Sequence, residues 1–324
     1  MDRRRALGLG LLLVGGLVER GMGLAEGAGP VRIGGLTESW GPTPAMVGLR
    51  DGLLALGYRE NEQFVIGVRF TQGDAAALPA AARELADAAD LIFVSNPTAA
   101  KAAQRATSRI PIVFASVGDP LGLGLIQSFA RPGGNITGVT DLDLEVGPKR
   151  LEVFRDMVPR LRRVLFPYDG TEAYAAREAG VYRDAARRLG IELAEKPLRT
   201  LDEAQTALAR VRKGEVDGIV PPRHVSLNIQ GFILETAGRE AIPTMFDASF
   251  WVERGALASY GGDFYDVGRQ AARLVDKILK GAKPGEIPVE VNPKIEFTIN
   301  LKAARGLGLT IPPEVLYRAD RIFR

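Results

Sequence analysis

The sequence predicts an α/β protein with two doubly wound parallel-sheet lobes and an interlobe cleft. Three observations carry this reading. Short apolar runs alternate with segments of helical spacing from residue 31 onward. The most apolar runs, at 91–95 and 110–115, are uninterrupted, as in strands covered on both faces. The alternation restarts after residues 136–140, so the chain reads as two similar halves.

In the first half, 31–36 reads as a strand. Residues 43–56 carry apolar positions at Met46, Leu49, Leu53 and Leu56 and stop at Gly57, which predicts a helix. Residues 64–70 alternate as a strand does, and 75–89 form an Ala-rich helix. Helix 98–108 follows the strand at 91–95, and a short helix at 121–130 ends in Arg131-Pro132-Gly133-Gly134. In the second half, helices are expected at 145–158, 171–189, 201–212 and 226–240. Strands are expected at 163–166, 191–195, 218–220, 244–246 and 256–260. Residues 263–280 form an amphipathic helix (Val267, Ala271, Leu274, Ile278) ended by Gly281, with strand-like runs at 289–291 and 297–299.

Composition narrows the function. The chain has 324 residues, 46% hydrophobic and 25% charged, which excludes a disordered chain and a multi-span membrane protein. Lys and Arg number 42 against 39 Asp and Glu, so no nucleic acid partner is expected. With no Cys there are no disulfides, thiolate metal sites or lipidated N-terminal Cys. A single His, His224, argues against a zinc site and a His-based triad. No phosphate loop or nucleophile elbow is present, and Gly122-Leu123-Gly124 lacks the third Gly of a dinucleotide site. The chain is therefore read as not an enzyme, with no catalytic residue, cofactor or metal.

The start, Met1-Asp2-Arg3-Arg4-Arg5, precedes an uncharged run from 6 to 18 that is too short to span a bilayer. This fits a signal peptide over residues 1–28, with small residues at Gly23 and Ala25 for cleavage. A buried N-terminal helix or a retained anchor is the other reading. A signal peptide places the protein in a periplasm or outside the cell, not membrane-embedded and not a lipoprotein.

Ligands of open parallel sheets bind beyond the carboxyl ends of the strands. Three first-half strand ends lead through polar residues to Pro and a helix: Thr37 to Pro42, Ser95-Asn96-Pro97, and Ser116 to Pro120. Such residues cap helices, and the free N–H groups they leave also attract an anion such as a carboxylate. Ser39, Trp40, Ser95, Asn96 and Ser116 are therefore candidate ligand residues. The second half contributes Tyr168, Arg223, Asp247 and Tyr260. Asp247 suits a ligand amine and Arg223 a carboxylate. Trp40, Tyr168 and Tyr260 suit an aromatic body, or else they pack lobe against lobe. Glu38, Asp119 and Asp263 are further strand-end acids that cap helices or meet an amine.

These residues carry a resemblance. Val117-Gly118-Asp119-Pro120, then Ala130-Arg131-Pro132-Gly133-Gly134-Asn135-Ile136-Thr137-Gly138-Val139, is similar to the bacterial ABC transporter substrate-binding protein family, in its TrpX-like group. Ala258-Ser259-Tyr260-Gly261, Gly268-Arg269-Gln270-Ala271-Ala272 and Asn300-Leu301-Lys302-Ala303-Ala304 extend it over the mature chain. The resemblance implies a type I periplasmic-binding-protein fold with crossovers near 139–143, 260–263 and 290–293. Lobe one is then 29–139 plus 262–290, and lobe two 140–261 plus 291–324. It also implies a monomeric receptor that closes like a hinge on a small aromatic or carboxylate-bearing, amino-acid-like ligand. That ligand passes to an ABC permease and its ATPase. The alternative is a ligand-binding accessory of a membrane sensor. Pro167-Tyr168-Asp169-Gly170 and Pro221-Pro222-Arg223-His224 depart from the group's usual turns and mark candidate specificity loops.

Overall fold

The computed structural model describes residues 29–223 and 226–324. The expected signal peptide and His224 lie outside the described residues.

The first sheet is wholly parallel. It is built from β1 (Val31–Thr37), β2 (Phe64–Phe70), β3 (Leu91–Val94), β4 (Ile112–Ala115), β5 (Ile136–Thr140) and β11 (Glu290–Val291), in the order β11-β5-β4-β3-β1-β2. Strands β3 and β4 are buried at every position, which explains their uninterrupted apolar runs. Helices α2 (Leu78–Ala88) and α3 (Pro97–Ala106) cover one face. Helices α1 (Pro44–Ala55) and α9 (Phe264–Leu279) cover the other. The α1–α9 crossing is set by glycine. A β-carbon on Gly48 would stand 2.0 Å from the Tyr265 carbonyl oxygen, and one on Gly268 would stand 1.9 Å from that of Ala45.

The second lobe contains α4 (Asp143–Met157), β6 (Arg163–Asp169), α5 (Ala173–Leu189), β7 (Glu192–Leu198), α6 (Leu201–Ala209) and β8 (Gly218–Ile219). It continues with α7 (Ile229–Glu240), β9 (Met245–Phe246), α8 (Ser249–Glu253) and β10 (Ala258–Gly262), then, after α9 and β11, β12 (Ile295–Asn300), α10 (Leu301–Gly306), α11 (Pro313–Tyr317) and β13 (Arg321–Phe323). Its strands run β7-β6-β8 and β9-β10-β12-β13, joined by a parallel bridge between Ile219 and Thr244. Only β12 against β10 is antiparallel. The fold is thus the expected pair of doubly wound α/β lobes.

The chain passes between the sheets at 141–142, at 263 and at 292–294. The three passages are tied to one another. Asn292 N–H donates to Thr140 O (2.7 Å), Asn292 Nδ2 to Asp266 Oδ2 (2.9 Å), and Lys294 Nζ to Asp263 Oδ2 (2.8 Å).

One expected element is absent. Residues 121–130 form turns, not a helix. The Asp119 carboxylate accepts from Gly122 N–H (2.8 Å), and Gly124 takes φ +64°, which breaks helical geometry despite the apolar pattern.

Candidate functional site

The carboxyl ends of both sheets face one cleft. On the lobe-one side, the turn after β1 is held by its own hydroxyls: Thr37 Oγ1 donates to Ser39 Oγ (3.1 Å), which donates to Gly41 O (2.6 Å). Glu38 is fully buried within that turn. Burial first, then the charges of Glu172, Asp169 and Asp74, pushes its carboxyl up to about 8. Trp40 is 52% exposed and lies over Gly73, where a β-carbon would stand 2.9 Å from the indole.

After β3, Asn96 caps α3: its Oδ1 accepts from Ala99 N–H (2.7 Å), with Pro97 opening the helix. The Ser95 and Thr43 hydroxyls share a hydrogen bond (3.2 Å). After β4, Ser116 is buried at φ +57°, a left-handed conformation that costs a side-chain-bearing residue energy. Its Oγ has no hydrogen-bond partner among the described residues.

On the lobe-two side, Asp169 Oδ1 accepts from Thr171 N–H (2.9 Å) and Oγ1 (2.6 Å), which folds the turn that starts α5. Next in that turn, Glu172 is half-buried and hydrogen-bonds the Thr98 side chain of lobe one. Burial and then Asp169 raise its pKa. Arg223 is buried after β8 and bonded to Asp141. Asp247 is buried after β9, and its pKa is pushed up to about 6 by burial, with Arg223 and Arg150 pulling the other way. Glu178, behind Arg223, is held well above the carboxylate range by burial and then by Asp143.

Between the lobes lies a cavity of about 590 Å³, within the range of about 300–1,000 Å³ seen for small-ligand sites. Pro97 and Thr98 at the α3 start line one wall, and Thr171, Glu172 and Tyr174 the facing wall. Leu78, Pro79, Ala102 and Leu123 supply apolar surface, and Arg83, Lys101 and Arg105 also line it.

None of the expected site residues lines this cavity; Ser39, Ser95, Asn96, Ser116, Arg223 and Asp247 stand in the turns after β1, β3, β4, β8 and β9, and Trp40 lies over Gly73. The structure turns Tyr168 and Tyr260 elsewhere. Tyr168 packs 5.8 Å from Phe166, with Glu195 and Arg183 as its charged neighbours, and Tyr260 packs 5.9 Å from Phe297. Both rings are partly buried and pack against the lobe-two core under α4 and α5. These contacts with the lobe-two core lend no support to the expected sandwich of Trp40, Tyr168 and Tyr260. Glu172, Thr98 and Tyr174 line the cavity, and Glu38, noted only as a strand-end acid, lies near enough to Glu172 to feel its charge. Their sequence signal is their place in the turns between a strand and the next helix. Among the described residues, no cluster of His, Asp or Glu is arranged to hold a metal ion, and no helix is long and apolar enough to cross a membrane.

Known proteins resemble this chain in sequence and fold. The chain is similar to a tyrosine-binding protein of Clostridioides difficile, 28% identical over 256 residues that cover 78% of this chain and 73% of that one. A Vibrio cholerae conserved domain protein of known structure is 30% identical with a TM-score of 0.81, covering 90% of this chain and 99% of that chain. A Streptococcus pneumoniae ABC domain solved in complex with L-Trp is 26% identical with a TM-score of 0.79, covering 91% and 100%. Residues 40–323 match the family described as ABC transporter substrate binding protein. With that match spanning nearly all of the described residues, the chain belongs to the ABC transporter substrate-binding protein family, on a type I periplasmic-binding-protein fold.

Proposed function

We propose that this protein is the extracytoplasmic solute-binding component of an ABC importer and that it captures an aromatic amino acid by closure of its two lobes. One observation carries the reading: the start of α3 in lobe one and the Glu172 turn of lobe two border one cavity of amino-acid size. The α3 start, with Ser95, Asn96 and Thr98, suits the ligand carboxylate through its N–H groups and helix dipole. Glu38 and Glu172 suit the ammonium, with Asp247 as the deeper acid. The apolar wall suits a ring. The tyrosine-binding relative and the L-Trp complex support the choice of an aromatic side chain. A ligand that touches both lobes binds the closed arrangement better than an open one and so shifts the population toward it. The permease, with its ATPase, is the partner to which the closed form delivers.

Titration calorimetry on the mature chain tests the ligand class. L-Tyr, L-Trp and L-Phe are compared with tyramine, which lacks the carboxylate, and with 3-(4-hydroxyphenyl)propionate, which lacks the amine. The expected result is binding of at least one amino acid and losses of about 100-fold or more for both analogues, since each leaves buried polar groups unpaired. Equal affinity for the propionate removes the acidic cluster from the site. No binding of any aromatic amino acid overturns the ligand class. Loss of uptake of the bound amino acid in a deletion strain tests the importer role.

A further inference from the structure

We infer that Arg223 is the latch that holds the two lobes together, acting on the closed arrangement itself and not as a contact to the ligand. The inference goes beyond the ligand class but rests on the hinge reading above. Arg223 rides on lobe two, in the turn after β8, yet its side chain reaches across. Its Nη2 donates to Asp141 Oδ2 (2.5 Å) and to the Ser116 carbonyl (3.1 Å), and its Nη1 lies 3.1 Å from Asp143 Oδ1. The guanidinium stands 4.7 Å from the centroid of the Phe264 ring. Asp141 lies on the first passage between the sheets and Asp143 just after it, while Phe264 opens α9 directly after the second. Ser116 directly follows β4 in lobe one. A single planar cation thus touches two of the three passages and the lobe-one edge of the cleft, using the fork and stacking that an arginine offers and a lysine does not.

The latch is braced from behind. Arg223 N–H donates to both Glu178 oxygens (3.1 Å each), so the turn is anchored to α5. Asp143 is held within lobe two by Arg150 Nη2 (2.6 Å), and Arg150 in turn donates to Tyr260 O (2.5 Å) and Tyr182 Oη (2.6 Å). An opening rotation about the passages carries Ser116 and Phe264 with lobe one and Arg223 with lobe two. The contacts to Ser116 and Phe264 are therefore the ones that open. Arg223 is only 8% exposed, so opening returns its charge to water. For a buried pair, desolvation roughly offsets the attraction, which poises such a latch between states. Removing the arginine alone leaves Asp141 buried without its cation, and that favours the open form, where Asp141 is hydrated.

The absence of Cys makes the test clean. Spin labels at Asp87→Cys on α2 and Glu235→Cys on α7, both exposed, report the interlobe distance by pulsed electron resonance. Without added ligand, the labelled parent is expected to show a dominant closed distance. Arg223→Met is expected to move most of the population to a second distance, with Arg223→Lys between the two. If Arg223→Met does not fold, Arg223→Met/Asp141→Asn, which leaves no acid at 141 without its partner, is measured with the same expectations. If the closed fraction falls to about one tenth, the apparent Kd for L-Trp rises about tenfold, mainly through faster release. A parent whose two distances keep their ratio in the Arg223 variants overturns the latch. A single distance shared by parent and variants, unchanged by L-Trp, overturns hinge closure with it.

Discussion

The Glu38 carboxyl, buried in lobe one, lies within reach of the Glu172 charge on lobe two, so an acid from each lobe meets at the cleft. Burial is the larger cause, and Glu172, Asp169 and Asp74 add to it, which together push Glu38 from an ordinary 4.5 to about 8. Between those values the folded protein keeps a proton that the unfolded chain has released. The stability of the neutral form is therefore complete below about pH 4.5 and is lost as pH rises through about 8. Asp247, raised from 3.8 to about 6, acts in the same direction at lower pH. The expected outcome is a melting temperature, followed by circular dichroism, that falls from about pH 5 to about pH 8. Glu38→Gln flattens the upper part of that fall. A parent and variant with parallel profiles would refute this account.

The same carboxyl couples ligand binding to protons. An ammonium beside Glu38 favours its ionised form and pulls its pKa down. Binding of an amino acid near pH 7 should therefore release a fraction of a proton, and affinity should rise with pH up to about 8. Calorimetry in buffers of different ionisation enthalpy measures that release directly. Glu38→Gln should abolish it. An unchanged proton count in the variant assigns the ammonium to another acid.

The α1–α9 crossing gives a prediction about stability alone. A methyl group on Gly48 or Gly268 meets backbone, which has no rotamer by which to yield. Gly48→Ala and Gly268→Ala should each destabilise by roughly 1–3 kcal/mol or more. Gly180, inside α5 with nothing within 4 Å of its β-carbon position, is the control. Gly180→Ala should instead stabilise by about 0.5–1 kcal/mol. Urea midpoints at a constant slope separate the two directions.

Much of this architecture is legible in the sequence, because local chemistry sets it. Uninterrupted apolar runs such as β3, and the Asn96-Pro97 start of α3, depend on neighbours a few residues away. The 121–130 segment misleads because Leu121, Leu123 and Leu125 mimic a buried face while Gly122 and Gly124 serve the turn. Tyr168 and Tyr260 show a second limit. Their positions at strand ends are legible, but the face that each ring takes depends on which helices cover the sheet. Arg223 shows a third. Its partners at 116, 141, 143 and 264 come together only when two lobes meet, and no spacing in the chain announces that.

Ser116 separates a ligand contact from a structural one. Its hydroxyl is buried and unpartnered among the described residues, so it contributes little to the fold. Ser116→Ala keeps the same left-handed backbone demand and should shift stability by less than about 1 kcal/mol. If the hydroxyl meets a ligand group, affinity should fall about tenfold, the size of one good hydrogen bond. A variant with unchanged affinity for L-Tyr and L-Trp removes Ser116 from the ligand set.

An exposed and a buried ion pair stand at the cleft, and salt should tell them apart. Arg177 on α5 pairs with Asp119 of lobe one, but the arginine side chain is nearly half exposed. Such a pair contributes little and is screened by added salt. The Arg223–Asp141 pair is buried on both sides, where mobile ions do not enter. Arg177→Gln should therefore weaken binding by roughly threefold or less at low ionic strength, and by almost nothing at about 0.5 M salt. The loss caused by Arg223→Met should persist at both. Affinities measured over a salt series, in parent and both variants, decide the matter. An Arg223→Met effect that fades with salt as the Arg177→Gln effect does would place Arg223 in long-range steering, and the closed arrangement would then owe its stability to other contacts.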